Sequence, residues 1–145
     1  MFLADQASKY YVVHVLNLDV VKRIEVFDPF LVLTMAWNRG VNFGLFSGLD
    51  MRWVLVGIAL VISIGATWWL RRHGATKWGY IAGGLLVGGA LGNVVDRVIY
   101  GAVADFLNMS CCGIANPFAF NIADVTIFLG AIGLAFLPDP KRGKK

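Results

Sequence analysis

Charge is scarce in this chain of 145 residues: Asp, Glu, Lys and Arg together make up 15%. Soluble domains usually carry about 25% charged residues. An ordinary water-soluble globule is therefore excluded, because its surface needs more polar side chains than are present. The few basic residues leave a net charge of +4, too sparse for a nucleic-acid binder driven by basic surface. Histidine and cysteine number two each. No His or further Cys stands at metal-ligand spacing, so neither a metal site nor a cofactor is expected. A Gly-x-Ser-x-Gly elbow is missing, which excludes that kind of hydrolase. Gly-Lys-Ser/Thr is missing too, so the glycines build no phosphate loop. What fills the chain instead is apolar: 58% hydrophobic residues and a mean hydropathy of +0.68. That excludes disorder and points to a small polytopic membrane protein.

Two uncharged windows of 18 residues, Trp53–Leu70 and Trp78–Val95, are long enough to cross a bilayer core. At 1.5 Å rise each covers roughly 27 Å of a ~30 Å core. Trp and Tyr at their ends suit the headgroup layer. Phe120–Leu137 is a third candidate, interrupted only by Asn121 and Asp124, and Met1–Leu18 is a fourth, carrying Asp5 and Lys9. The expected fold class is an all-α polytopic membrane protein in one domain, residues 1–145. Its four transmembrane helices fall at about 1–18, 53–70, 78–100 and 120–137. Arg71, Arg72 and Lys77 crowd one link without an acid, and Lys141, Arg142, Lys144 and Lys145 crowd the tail 139–145. The positive-inside rule makes both cytoplasmic, which places both termini inside.

No basic cluster precedes Asp5, so a signal peptide is not supported. The chain is expected to begin part-way through its first helix, which would be N-terminally truncated. Residues 20–48 read as a small extracytoplasmic β-cradle. Val20-Val21 and Ile24–Phe27 are short β-favouring pieces, Asp28-Pro29 a turn, and Phe30–Trp37 a strand-length run. Residues 101–119 read as an outer loop, in which Cys111 and Cys112 could be oxidised.

Ionisable groups at membrane depth are costly and call for a role. Asp105 follows the third span, and Asp124 sits about one turn into the fourth. The two carboxylates thus approach the outer interface from neighbouring helices. Two close carboxylates do not readily both ionise, so one can act as base on water and the other as acid on a leaving amine. Alternatively each is a solvated helix-end residue, and Asp124 suits a helix N-terminus. Asn121 shares a helix face with Asp124, and Asn93 with Arg97, beside Asp96. These residues either line the acid pair or form an interhelical polar clamp. Asp5 and Lys9, four apart, suit an intrahelical ion pair. Gly84, Gly88 and Gly92 fit small-xxx-small packing, or make room for a lipid or peptide.

Five segments together resemble one family. Asp5-Gln6-Ala7-Ser8-Lys9 is similar to D-Q-x-[ST]-K, and Asn38-Arg39-Gly40-Val41-Asn42-Phe43-Gly44 to N-x-G-x-x-F-[GS]. Gly89–Arg97 is similar to G-x-x-G-N-x-x-D-R, Val103–Phe106 to V-x-D-F, and Phe120–Asp124 to F-N-x-A-D. The chain resembles lipoprotein signal peptidase (signal peptidase II), a family of bacterial membrane aspartyl proteases. The resemblance implies an endopeptidase that removes the signal peptide from diacylglyceryl-modified prolipoprotein, just before the lipidated cysteine. It implies Asp105 and Asp124 as catalytic dyad, with Asn93, Arg97 and Asn121 bracing the site. Asn38 and Gly40 would touch the substrate-side loop, as substrate-binding or supporting residues, and Asp5 and Lys9 would brace the first helix. Gly89, Asp96 and Ala123 fall inside the matched motifs as supporting residues. It also implies a flap helix, a place in the bacterial cytoplasmic (inner) membrane with the site near the outer face, and cyclic-peptide inhibitors between the aspartates. The partners are then membrane lipids and the lipidated precursor, with no nucleic acid, and the enzyme is expected as a monomer. Asn42 departs from the family's usual Ala or Ser. A non-enzymatic transporter or assembly protein is the rival reading. Presenilin-like and rhomboid-like proteases are excluded, because Gly-x-Gly-Asp and Gly-x-Ser-Gly are absent.

Overall fold

The computed structural model describes residues 1–28, 30–40, 50–111 and 116–136. Pro29, the motif residues Val41–Gly44, Ser47, the expected flap, Cys112 and the basic tail lie outside them.

Helix α1, Phe2–Tyr10, runs on into a π-helical turn, Tyr11–Val15. A left-handed Asn17 (φ 49°) then reverses the chain into the single turn α2, Leu18–Val21. Asn tolerates that conformation better than most residues. Here the structure corrects the sequence reading: Val20 and Val21 are helical, not β. Their amides donate to the Asn17 carbonyl at 2.9 and 3.0 Å, and the turn is anchored by the fully buried Leu18. Both valines are exposed, so their β-branched side chains have no sheet to pack on.

Strands β1 (Arg23–Phe27), β2 (Leu31–Asn38) and β3 (Val103–Asn108) form one antiparallel sheet in the order β1-β2-β3. The third strand is a second correction, since it lies within the expected loop 101–119. Val103, Ala104, Asp105 and Phe106 are all buried, so the segment lacks the in-out alternation that marks a half-buried strand. Successive side chains still point to opposite faces. Phe106 joins Val12, Leu18 and Leu33 in an apolar cluster under the sheet, which leaves Asp105 on the other face.

Among the described residues, two helices are long and apolar enough to cross a membrane: α3, Met51–His73, and α4, Lys77–Tyr100. Their ends are set by caps. The Asp50 carboxylate accepts from the Arg52 amide, and the Thr76 hydroxyl accepts from the Gly79 amide. Gly74 (φ 65°) and Gly101 (φ 76°) close them in the left-handed conformation that favours glycine. The last helix, α5, Ile122–Phe136, is apolar but shorter. Most of α3 is exposed, with Trp53, Ile58, Val61, Ile64 and Trp68 pointing outward, as lipid-facing residues would.

Helix α4 is the hub, touching α1, α3, α5 and β3. Its seam with α5 is glycine against backbone. A methyl added at Gly89 would lie 2.6 Å from the Ala123 carbonyl oxygen, and one at Gly130 would lie 2.5 Å from the Leu86 amide nitrogen. Such contacts let helices approach more closely than side chains allow. The expected Gly84–Gly88 pair does not serve this seam. Gly84 faces open space, and Gly88 faces the Met1–Phe2 backbone. Residues 89 and 92 face the seam instead.

Candidate functional site

The site forms where the start of α5, the late turns of α4 and strands β2 and β3 converge. Its centre is Asn121, fully buried just before α5. The Asn121 side-chain oxygen accepts from the Asp124 amide at 2.9 Å, and the Asp124 carboxylate accepts from the Asn121 amide at 3.2 Å. This is a reciprocal capping box, with Asn as cap and Asp three residues on. Asp124 is therefore a helix-start residue, as its position suggested. It is also held to the same group as Asp105, because the Asn121 side-chain amide donates to Asp105 Oδ1 at 2.6 Å. Its second proton points to Asn93 Oδ1 at 3.4 Å. Both donors of the amide and its oxygen are thus engaged.

Asp105 is 3% exposed. Its other oxygen, Oδ2, accepts from Asn38 Nδ2 at 3.0 Å. The strand register explains that bond: Ala36 lies opposite Asp105, and Asn38, two residues along the same face of β2, is its diagonal neighbour. Asn38 Oδ1 turns back to accept from the Gly40 amide at 2.9 Å. Gly40 has φ 93°, and a methyl there would lie 2.5 Å from Leu55 Cδ1, so only glycine fits. Burial pushes the Asp105 carboxyl up to about 6, assisted by the Asp124 charge and opposed by the Asn38 and Asn121 hydrogen bonds.

Behind this pair lies a second acidic cluster. Lys9 Nζ is 2.8 Å from Asp5 Oδ2, 2.7 Å from Asp96 Oδ2 and 3.1 Å from Asn93 Oδ1, so all three ammonium protons are engaged. Asp5 Oδ1 accepts from the Ala123 amide at 2.9 Å, satisfying one of the orphan donors at the start of α5. Asp96 Oδ2 accepts from the Ala104 amide at 3.3 Å, which ties α4 to β3. Asn93 connects the two clusters. Its oxygen faces Lys9, and its amide donates to Asp124 Oδ1 at 3.0 Å.

The structure thus brings together Asp5, Lys9, Asn38, Gly40, Asn93, Asp96, Asp105, Asn121, Ala123 and Asp124. Gly89 lies one turn deeper against the Ala123 carbonyl. Arg97 is half-buried beside them. Its Nη1 donates to the Asn93 carbonyl at 3.2 Å, and its buried Nε has no hydrogen-bond partner among the described residues. Sequence reasoning left out Gln6, although Gln6 lies within the first motif. Its Nε2 lies 3.2 Å from Asp5 Oδ2, 3.3 Å from the Gly92 carbonyl oxygen and 3.0 Å from Asp96 Oδ1. The four-residue step from Gln6 to Tyr10 carries no charge pair, so spacing alone gave no signal for it.

A buried carboxyl whose proton affinity is raised by burial, tied through Asn121 to a second, more accessible Asp at the end of apolar helices, fits one class: aspartic-type peptidases working at a membrane. The comparisons narrow it. A family model described as signal peptidase (SPase) II, peptidase family A8, matches residues 1–137. A lipoprotein signal peptidase of Methylorubrum extorquens is 43% identical over 133 residues, covering 90% of this chain and 75% of its own length. One from Vibrio cholerae serotype O1 is 40% identical over 134 residues, covering 90% and 77%. Two bacterial membrane enzyme structures solved by the in meso method share the fold. One has a TM-score of 0.78 at 31% identity, covering 99% of this chain and 86% of its own. The other has 0.81 at 30%, covering 95% and 88%. The chain belongs to the signal peptidase II family, and it is an aspartic-type endopeptidase. The non-enzymatic reading is not favoured.

Proposed function

We propose that Asp105 and Asp124 are the catalytic dyad of an endopeptidase acting on lipid-modified prolipoprotein, cutting just before the lipidated cysteine. The observation that carries this reading is Asn121, one buried residue whose backbone amide donates to the Asp124 carboxylate and whose side-chain amide donates to that of Asp105. Asp124, the more accessible of the two, takes a proton from water. The resulting hydroxide adds to the scissile carbonyl carbon. Asp105 keeps its proton in the buried position and donates it as the C–N bond breaks, so the products are a carboxylic acid and an amine. Asn38, which donates to Asp105, and Gly40, whose amide donates to Asn38, are assigned to the substrate. Arg97, whose Nε faces no protein acceptor among the described residues, is assigned to a substrate carbonyl.

In this reading the chain is one peptidase domain with four spans: the helix of residues 2–15, α3, α4 and α5. The β-sheet and dyad lie at the outer face of the bacterial cytoplasmic membrane, and both termini are cytoplasmic. Orientation rests on Arg71, Arg72 and Lys77, at the helix ends opposite the dyad. Cyclic-peptide inhibitors bind between the two aspartates, and one chain suffices for activity.

The test is cleavage of a lipidated precursor in vesicles by Asp105→Asn and Asp124→Asn. Each is near-isosteric, so membrane insertion is retained while turnover falls on the order of 10²- to 10⁴-fold. Normal turnover in either variant refutes the dyad.

A further inference from the structure

One opening in the molecule is remote from the dyad. It is a groove of about 640 Å³ between α3 and α4. Leu60, Ile64, Trp68, Val87 and Leu91 give it apolar walls, and Arg71 and Arg72 stand at its open end. A smaller opening of about 290 Å³ shares Thr67, Arg71 and Val87 with it and reaches Gly84, where an added methyl would touch nothing. From Leu60 to Arg71 the helix rises roughly 16 Å, close to the ~15 Å hydrocarbon depth of one bilayer leaflet. Within the wall, the Ser63 hydroxyl is 5% exposed and has no hydrogen-bond partner among the described residues. A neighbouring hydroxyl behaves differently: Thr67 Oγ1 donates to the Ser63 carbonyl at 2.8 Å.

We propose that this groove is a binding site for an anionic phospholipid. One acyl chain lies along the apolar wall and the headgroup phosphate sits between Arg71 and Arg72. Charge complementarity decides the occupant. The link from Arg71 to Lys77 holds three cations and no acid. The planar guanidinium groups match phosphate oxygens in pairs. A signal-peptide helix, the other apolar candidate, carries a positively charged leading segment and would meet like charge here. The groove shares no residue with the proposed dyad, so either proposal can fail alone.

The test is native mass spectrometry of the full chain, released from micelles holding equal amounts of phosphatidylglycerol and phosphatidylcholine with the same acyl chains. Phosphatidylglycerol is retained preferentially, by about five-fold for each arginine engaged. The double variant Arg71→Gln, Arg72→Gln keeps Lys77 and the basic tail to set orientation, and it loses the preference while still cleaving precursor, which reports its fold. Arg71→Lys, Arg72→Lys keeps it. Lys22→Gln with Arg23→Gln, at the far face, leaves it unchanged. Inorganic phosphate in excess displaces neither lipid. Equal retention of the two lipids by the unaltered chain overturns the proposal. So does a preference that survives the double Gln variant, or displacement of lipid by a signal peptide or by a second copy of the chain.

Discussion

Two pairs of aspartates lie within one polar network, and they are kept in different ways. Asp5 and Asp96 are each 1% exposed and share the ammonium of Lys9. Asp105 and Asp124 receive neutral amide donors: Asn38, Asn93 and the side chain and backbone of Asn121. The first pair is charge-compensated and closed to solvent, so it ties α1 to α4, α5 and β3. The second pair is held in place without an ammonium of its own. Hydrogen bonds fix its geometry, and at Asp105 they offset only part of the rise in proton affinity that burial causes. The difference separates two carboxylates held by an ammonium from two held by neutral amides, within one network.

The comparison is broken most severely at Lys9. Lys9→Met keeps length but leaves two buried carboxylates without a counter-charge, at a cost on the order of 3–5 kcal/mol. Thermal unfolding in detergent should show a large drop, with activity lost as a consequence. Adding Asp96→Asn to Lys9→Met should recover part of the loss by removing one uncompensated charge. A Lys9→Met chain as stable as the parent would show that the Asp5–Lys9–Asp96 cluster does not hold α1 in place.

Much of this network was legible in the sequence, for reasons that differ by residue. Asp5 and Lys9 stand four apart, and helical spacing alone brings them together. Asn121 and Asp124 stand three apart at a helix start, which is the spacing of a capping box. The reach from Lys9 to Asp96 is a tertiary contact between helices far apart in sequence, and no periodicity announces it. The strand carrying Asp105 was illegible because it is buried on both faces and lacks alternation. Val20-Val21 misled in the opposite sense: β propensity was overridden by a helical turn pinned at Leu18. The glycine face was visible, but its register was not. Gly89 and Gly92 meet α5 and Asp5, while Gly84 meets nothing.

That register gives a sharper probe of the compensated pair. A methyl at Gly92 would lie 2.5 Å from Asp5 Oδ2, the oxygen that Lys9 holds. Gly92→Ala should cost about 1–3 kcal/mol, as overpacking does. Gly84→Ala adds the same methyl into open space on the same helix and should cost nothing, or gain up to about 1 kcal/mol from helix propensity. Unfolding midpoints of the two variants decide the point. Equal losses would mean that general helix behaviour, not contact with Asp5, sets the cost.

The smallest effect tests the uncompensated pair without disturbing its structure. Asp105 is held at about 6, above its ordinary 3.8, mainly by burial. Between those values the folded chain keeps a proton that the unfolded chain has lost, so this group's contribution to stability falls as pH rises through the window. If catalysis needs that proton, kcat/KM declines as pH rises past about 6, with an apparent midpoint that belongs to the coupled pair. Asn38 donates to the ionised form and holds the Asp105 carboxyl down. Asn38→Ala should therefore raise it and move the declining limb to higher pH. Asn38→Asp, which exchanges the amide for a second negative charge, should move the limb the same way and further. The cluster around Lys9 is untouched by either change, so the drop in unfolding midpoint near neutral pH should be smaller than that of Lys9→Met. A limb that stays in place, or moves to lower pH, would show that Asp105 is not the group whose proton the reaction uses.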